Sequence, residues 1–131
     1  LQQALQVVRN GRWHRLQEMV TQLVKCGVSA DLTQFFQAEK PEHSFGRRHL
    51  ARAIIDLKAS RNFYHAFSFW LAKPEVAGVP KTRLPLKQGI ELVRAAKGIP
   101  VLAHPPEDLD REFFRKWKSH GLLGIECEYP W

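Results

Sequence analysis

Cysteine is scarce in this chain of 131 residues: Cys26 and Cys127 stand far apart and form no CxxC pair. No disulfide framework or cysteine-built zinc site is expected, which suits a reduced, cytoplasmic protein. No apolar run approaches the length of a membrane-spanning helix, and no signal-peptide pattern opens the chain. The HExxH zinc motif, the phosphate-binding P-loop and the GxSxG nucleophile elbow are all missing, so those routes to hydrolysis are closed. Internal repeats and low-complexity tracts are absent too. Acidic residues are the remaining shortage, with 13 Asp+Glu against 20 Lys+Arg and a formal charge of +7. That surplus favours anionic partners such as nucleotides, nucleic acid or acidic membrane surfaces. The plainer alternative is that many lysines merely solvate helix faces.

What is present suits one domain or a piece of a larger one, since 44% apolar residues suffice for a core. Leu1 runs at once into a helix-like pattern and Trp131 follows a strand-like run, so the chain is expected to belong to a longer protein. Residues 2–26 read as a helix with Leu16, Met19, Val20 and Leu23 on one face, ended by Gly27. A short helix follows over Ser29–Ala38, then a polar loop, Glu39–Gly46. A third helix starts near Arg48 with Leu50, Ala53, Ile54 and Leu57 as its buried stripe. Ser60 is placed to cap a fourth helix whose aromatics, Phe63 to Trp70, are expected in the core. Residues 73–85 read as irregular. The character then changes to α-β-α-β: helix Leu86–Lys97 ended by Gly98, strand Ile99–His104, helix Leu109–His120, strand Leu122–Glu128. Glu107, Asp108 and Asp110 suit the start of that second helix, and Arg115, Lys116 and Lys118 its end. Alternating helices and strands predict a parallel sheet, so the fold class is α/β.

In such folds, functional groups collect where a strand's carboxyl end meets the next loop. His104, ahead of Pro105-Pro106, stands at that point, where an imidazole can bind metal, transfer a proton or donate to a phosphate. A structural histidine bonded to a backbone carbonyl is the alternative. Glu126 and Glu128 share one face of the last strand by period-two alternation, and one of them can approach the His104 end if the strands are neighbours. The other concentration is Gly46-Arg47-Arg48-His49, where a helix N-terminus, two guanidiniums and an imidazole would cradle a phosphate. A solvated basic helix start is the alternative there. His14, His43, His65 and His120 read as surface residues. No residue stands out as the catalytic group.

Gly46-Arg47-Arg48-His49-Leu50-Ala51-Arg52-Ala53 and Ile99-Pro100-Val101-Leu102-Ala103-His104-Pro105, taken together, resemble the polymerase and histidinol phosphatase (PHP) family of metal-dependent phosphoesterases. The likeness is to the branch of nucleoside 3′,5′-bisphosphate phosphatases and 5′-to-3′ exoribonucleases. That branch carries a Gly-Arg-Pro-His-Leu-Ala motif in a helical insertion, then an Ala-Phe helix (here Ala66-Phe67), an Ala-His-Pro strand end and a Gly-Ile-Glu-Val strand (here Gly124-Ile125-Glu126-Cys127). The resemblance runs along nearly the whole chain but reaches only the middle of the family's length. It implies a distorted β/α barrel with residues 1–85 as an all-helical, substrate-covering insertion and residues 86–131 as a βα segment of the barrel. It implies His104 as one metal ligand, Arg47 and His49 with Arg48 at the substrate phosphate, and Glu126 as a site neighbour. The metals would be manganese, zinc or iron, held mostly by residues outside this chain. The substrate would be a nucleotide or short-RNA phosphate, and the partner the rest of the parent chain. The parent protein is expected to be the enzyme and the 131 residues alone inactive. The family's His-x-His opening, its early Asp and its closing Gly-Ser-Asp-x-His are absent here. Arg48 replaces a proline, and Gly78 stands where a tyrosine is expected. The rival expectation is a non-catalytic basic module derived from the same fold that binds RNA or a ribonucleoprotein.

Overall fold

In the computed structural model, residues 1–37, 45–106 and 108–127 are described; His43, Glu107 and Glu128, with most of the polar loop, lie outside them. The chain divides into two compact units, Ala4–Thr82, and Arg83–Trp131 with Leu1–Gln3.

Apolar residues at helical spacing build the first unit. Leu16, Met19, Val20 and Leu23 are all buried on one face of α1 (Gln2–Lys25). Gly27, at φ +105°, ends it: the Val28 N–H returns to the Leu23 carbonyl at 3.0 Å and the Gly27 N–H to that of Val24. Helix α2 (Asp31–Gln37) is shorter than the sequence predicts. Helix α3 (Arg47–Asp56) buries Leu50, Ala51, Ala53 and Ile54, whereas Leu57, assigned to the stripe, is its half-buried C-cap. These residues share one core with Val28, Leu32, Phe36, Ala66, Leu71, Val76 and Val79.

The fourth helix departs from expectation in three ways. Its N-cap is Asn62, whose Oδ1 accepts from the His65 N–H at 2.8 Å, while Ser60 donates to the Asn62 carbonyl at 3.1 Å. The short helix α4 (Phe63–His65) widens into a π-helical turn, Ala66–Trp70, closed by the Leu71 N–H on the Ala66 carbonyl at 2.9 Å. Only Ala66 of this run is buried, and Phe63, Tyr64 and Phe69 lie on the surface. The aromatics are therefore divided: Ala66 and Leu71 take the inward positions, Phe67 and Trp70 pack half-buried against the core, and the other three do not join it. A further helix, α5 (Pro74–Ala77), forms within the stretch read as irregular, with Pro74 in its first turn, where no N–H is needed.

In the second unit, α6 (Leu86–Ala95) ends when Lys97 takes the left-handed turn (φ +60°), and Gly98 returns its N–H to Val93 at 2.9 Å. Strand β1 (Val101–Leu102) pairs in parallel with β2 (Gly124–Ile125), with Val101 opposite Gly124 and Leu102 opposite Ile125. Both strands are much shorter than their apolar runs. Helix α7 (Arg111–Ser119) crosses between them, capped by Asp110 Oδ1 on the Phe113 N–H at 2.7 Å. Gly121, at φ +97°, stops it. The fold is thus mostly helical with one small parallel two-stranded sheet.

Candidate functional site

The sheet brings His104 and Glu126 together. Strand β1 ends two residues before His104, because His104 itself adopts a left-handed backbone (φ +47°). The Glu126 N–H continues the ladder to the Leu102 carbonyl at 2.9 Å, which brings its side chain beside the turn. Glu126 Oε2 accepts from the His104 N–H at 2.8 Å and lies 3.3 Å from His104 Nδ1. A carboxylate that accepts a proton from Nδ1 leaves the lone pair of a neutral ring on Nε2, and the 3.3 Å approach puts Glu126 in place for that role. This is how a carboxylate orients an imidazole that ligates through its other nitrogen. The histidine ring is 71% exposed. Among the described residues, no three His, Cys, Asp or Glu side chains converge. One imidazole and one carboxylate fall short of the three protein donors of a catalytic metal site, so these residues alone do not form one.

The basic cluster lies in the other unit, at the start of α3. Gly46 is its N-cap, with no side chain to occupy the first-turn N–H groups. The preceding Phe45 is wedged between Trp13 (5.5 Å between ring centroids), Phe36 (6.0 Å) and His49 (5.2 Å), which fixes the helix entry. His49 Nδ1 accepts the Gly46 N–H at 3.0 Å. Nδ1 is then unprotonated, and the ring's proton sits on Nε2 as a neutral donor. Arg47 spreads over the Phe67 ring, its Cζ 5.3 Å from the centroid. Arg48 is exposed.

Arg15, which sequence reasoning missed, feels the charge of Arg47 from this cluster. It is half-buried, and its Nε donates to the Val79 carbonyl at 3.0 Å. Burial, and after it the nearby positive charge of Arg47, hold the Arg15 guanidinium below its ordinary pKa. The signal was legible: Arg15, Met19 and Leu23 recur every fourth residue, so a cation sits on the apolar face of α1. An anion bound near Arg47 would offset the positive charge that Arg15 feels from it.

No protein-family profile matches the chain, and no curated protein does. Among solved structures, the chain is similar to a protein from Bifidobacterium adolescentis assigned as a metal-dependent phosphoesterase. There the identity is 24% and the TM-score 0.71, over 91% of this chain and 44% of that one. It is also similar to an amidohydrolase from Chromobacterium violaceum whose structure holds sulfate and no metal, at 24% identity and TM-score 0.69, over 92% of this chain and 44% of that one. The likeness is one of fold, and the chain spans less than half the length of either protein.

Proposed function

We propose that this chain is the phosphate-recognising part of a metal-dependent phosphoesterase acting on nucleotide or short-RNA phosphates. In this reading Ala4–Thr82 is an insertion that covers substrate, and the β1–α7–β2 segment belongs to a distorted β/α barrel completed by the rest of the parent protein. Arg47, His49 and Arg15 bind the phosphate, with Arg48 adding charge. Glu126 holds His104 in the tautomer a metal ligand needs. The divalent metals, manganese, zinc or iron, are held mostly by residues outside the chain and supply an activated water. The observation that carries the reading is the start of α3, where the Gly46 N-cap has no side chain to cover the first-turn N–H groups and Arg47, Arg48 and His49 follow at once. The fold likeness to a protein assigned as a phosphoesterase supports it, as does the sulfate, a phosphate-shaped anion, in the second neighbour.

Hydrolysis of a nucleoside 3′,5′-bisphosphate by the full-length parent protein with Mn²⁺ tests the reading. Phosphate release is expected, with His104→Ala slower by orders of magnitude and Arg47→Ala raising KM. A parent protein that releases no phosphate with manganese, zinc or iron would overturn it.

A further inference from the structure

Beyond the C-terminal end of α3 lies a second basic concavity that the phosphate cluster does not include. Ile55, Lys58, Ala59, Ser60, Arg61 and His65 line a cleft of about 550 Å³. Helix α3 is ten residues long, which puts its two ends about 15 Å apart. The cleft is therefore separate from the Arg47–His49 end.

The cleft is built for an anion. Between Asp56 and Glu75 the chain carries no acidic residue, whereas Lys58, Arg61 and Lys73 all fall there. Asp56 is itself taken up by Arg52 at 3.0 Å. Among the described residues neither Lys58 nor Arg61 has an ion-pair partner, and both are exposed. The cleft wall is ordered: the buried Ser60 hydroxyl donates to the Asn62 carbonyl, so its oxygen accepts Nδ1–H of His65 at 2.8 Å. His65 is further held by a parallel stack on Phe69, with centroids 5.2 Å apart.

Aromatic rings stand exposed beside it. Tyr64 is 81% exposed, Phe69 50% and Phe63 42%, whereas Ala66, Phe67, Trp70 and Leu71 supply the packing against the core. Phe69 is engaged within the protein, by the stacked His65 ring and by Lys73 Nζ 4.8 Å from its centroid, so the open ring beside the cleft is Tyr64. An open aromatic ring beside cations without ion-pair partners is a favourable surface for a base stacked on a charged backbone. A lipid surface would call for aliphatic side chains on this face, and an acidic peptide offers nothing flat to stack.

We infer that the Lys58–Arg61–His65 cleft and the adjoining Tyr64 ring form a single-stranded nucleic-acid site, with a backbone phosphate in the cleft and a base stacked on Tyr64. It deepens the phosphoesterase reading by giving the strand a second hold, and its binding does not require metal.

Fluorescence anisotropy of a labelled decauridylate with the full chain, in EDTA and at low salt, tests it. Lys58→Gln/Arg61→Gln is expected to weaken binding at least tenfold and to make the salt dependence shallower, by a slope of roughly 0.7 for each phosphate that the variant no longer neutralises. Lys58→Arg/Arg61→Lys keeps the charge and the wild-type affinity. Tyr64→Ala should weaken binding about fivefold or more with the salt slope unchanged, and Tyr64→Phe should restore it. Lys118→Gln, in the other unit, serves as the control. Inorganic phosphate that competes at millimolar concentration, with no gain for the oligonucleotide over uridine monophosphate, would reduce the site to a simple anion cleft and sink the strand-binding claim. Wild-type affinity and slope in the glutamine pair would overturn the site altogether. Phosphate release from the bisphosphate is read separately, so failure of one claim leaves the other standing.

Discussion

His104 is held in a conformation that its own backbone disfavours. A left-handed φ of +47° on a residue with a Cβ costs on the order of 1 kcal/mol, and such strain is found where function fixes the geometry. His104→Gly should therefore be more stable to urea than His104→Ala by about 1 kcal/mol, since both lose the ring and only glycine relieves the backbone. Equal stability of the two would mean that the turn is unstrained. Arg15 makes the complementary case. Folding lowers its affinity for a proton, so its positive charge works against the folded state until an anion is bound. Arg15→Met loses the bond to the Val79 carbonyl, about 1 kcal/mol, but also the cost of half-burying a cation near Arg47, and the two effects are opposed. Its melting temperature in phosphate-free buffer should match wild type closely. The rise produced by added phosphate should be clearly smaller, because less of the anion is bound. A full-sized rise in the variant would exclude Arg15 from the phosphate site.

At the scale of elements, the close approaches of glycine decide more than helix propensity does. Gly11 sits inside α1, where alanine would ordinarily stabilise by about 1 kcal/mol. A Cβ there would fall on the Thr82 side chain, its Cβ 2.6 Å away and its Oγ1 closer still. Gly11→Ala is thus expected to destabilise the protein by about 1 kcal/mol or more. In a Thr82→Gly background the same change should become stabilising, and thermal melts of the four variants give the sign directly. The fourth helix teaches a related lesson about caps. Ser60 precedes the aromatic run and looks like its cap, yet Asn62 is nearer the first helical residue and its Oδ1 reaches the His65 N–H. Ser60 is left to fix His65 instead. The strands of the second unit shrink to two residues each because the left-handed turn at His104 and the end of the ladder at Glu126 stop the pairing.

Across the whole molecule, burial is uneven. The shared core lies in Ala4–Thr82, whereas Ile90 and Leu122 are the only deeply buried hydrophobic side chains among the described residues of the other unit. Amides of α3 and of the Leu16–Leu23 stretch should exchange with deuterium most slowly, and those of β1 and β2 orders of magnitude faster. Mass spectrometry of exchange in the folded chain measures this, and strong protection of the two-stranded sheet would contradict the expected order. The sheet keeps Ile99, Val101 and Leu123 exposed, so its hydrogen bonds lie open to water.

Periodicity alone determined the helices that carry the core and the parallel α-β-α-β order, since burying an apolar stripe leaves few choices of element. The sequence also singled out His104 and the Gly46–His49 run, by residue type and place in the chain. Tertiary structure decided the rest: that Glu126 Oε2 meets both the backbone and the ring of His104, that Arg15 reaches the Val79 carbonyl, and that Phe63, Tyr64 and Phe69 face outward. Those facts depend on contacts between residues far apart in the chain, or on which side of a helix finds the core. Neither is written in local pattern, because a helix with aromatics on two faces can bury only one.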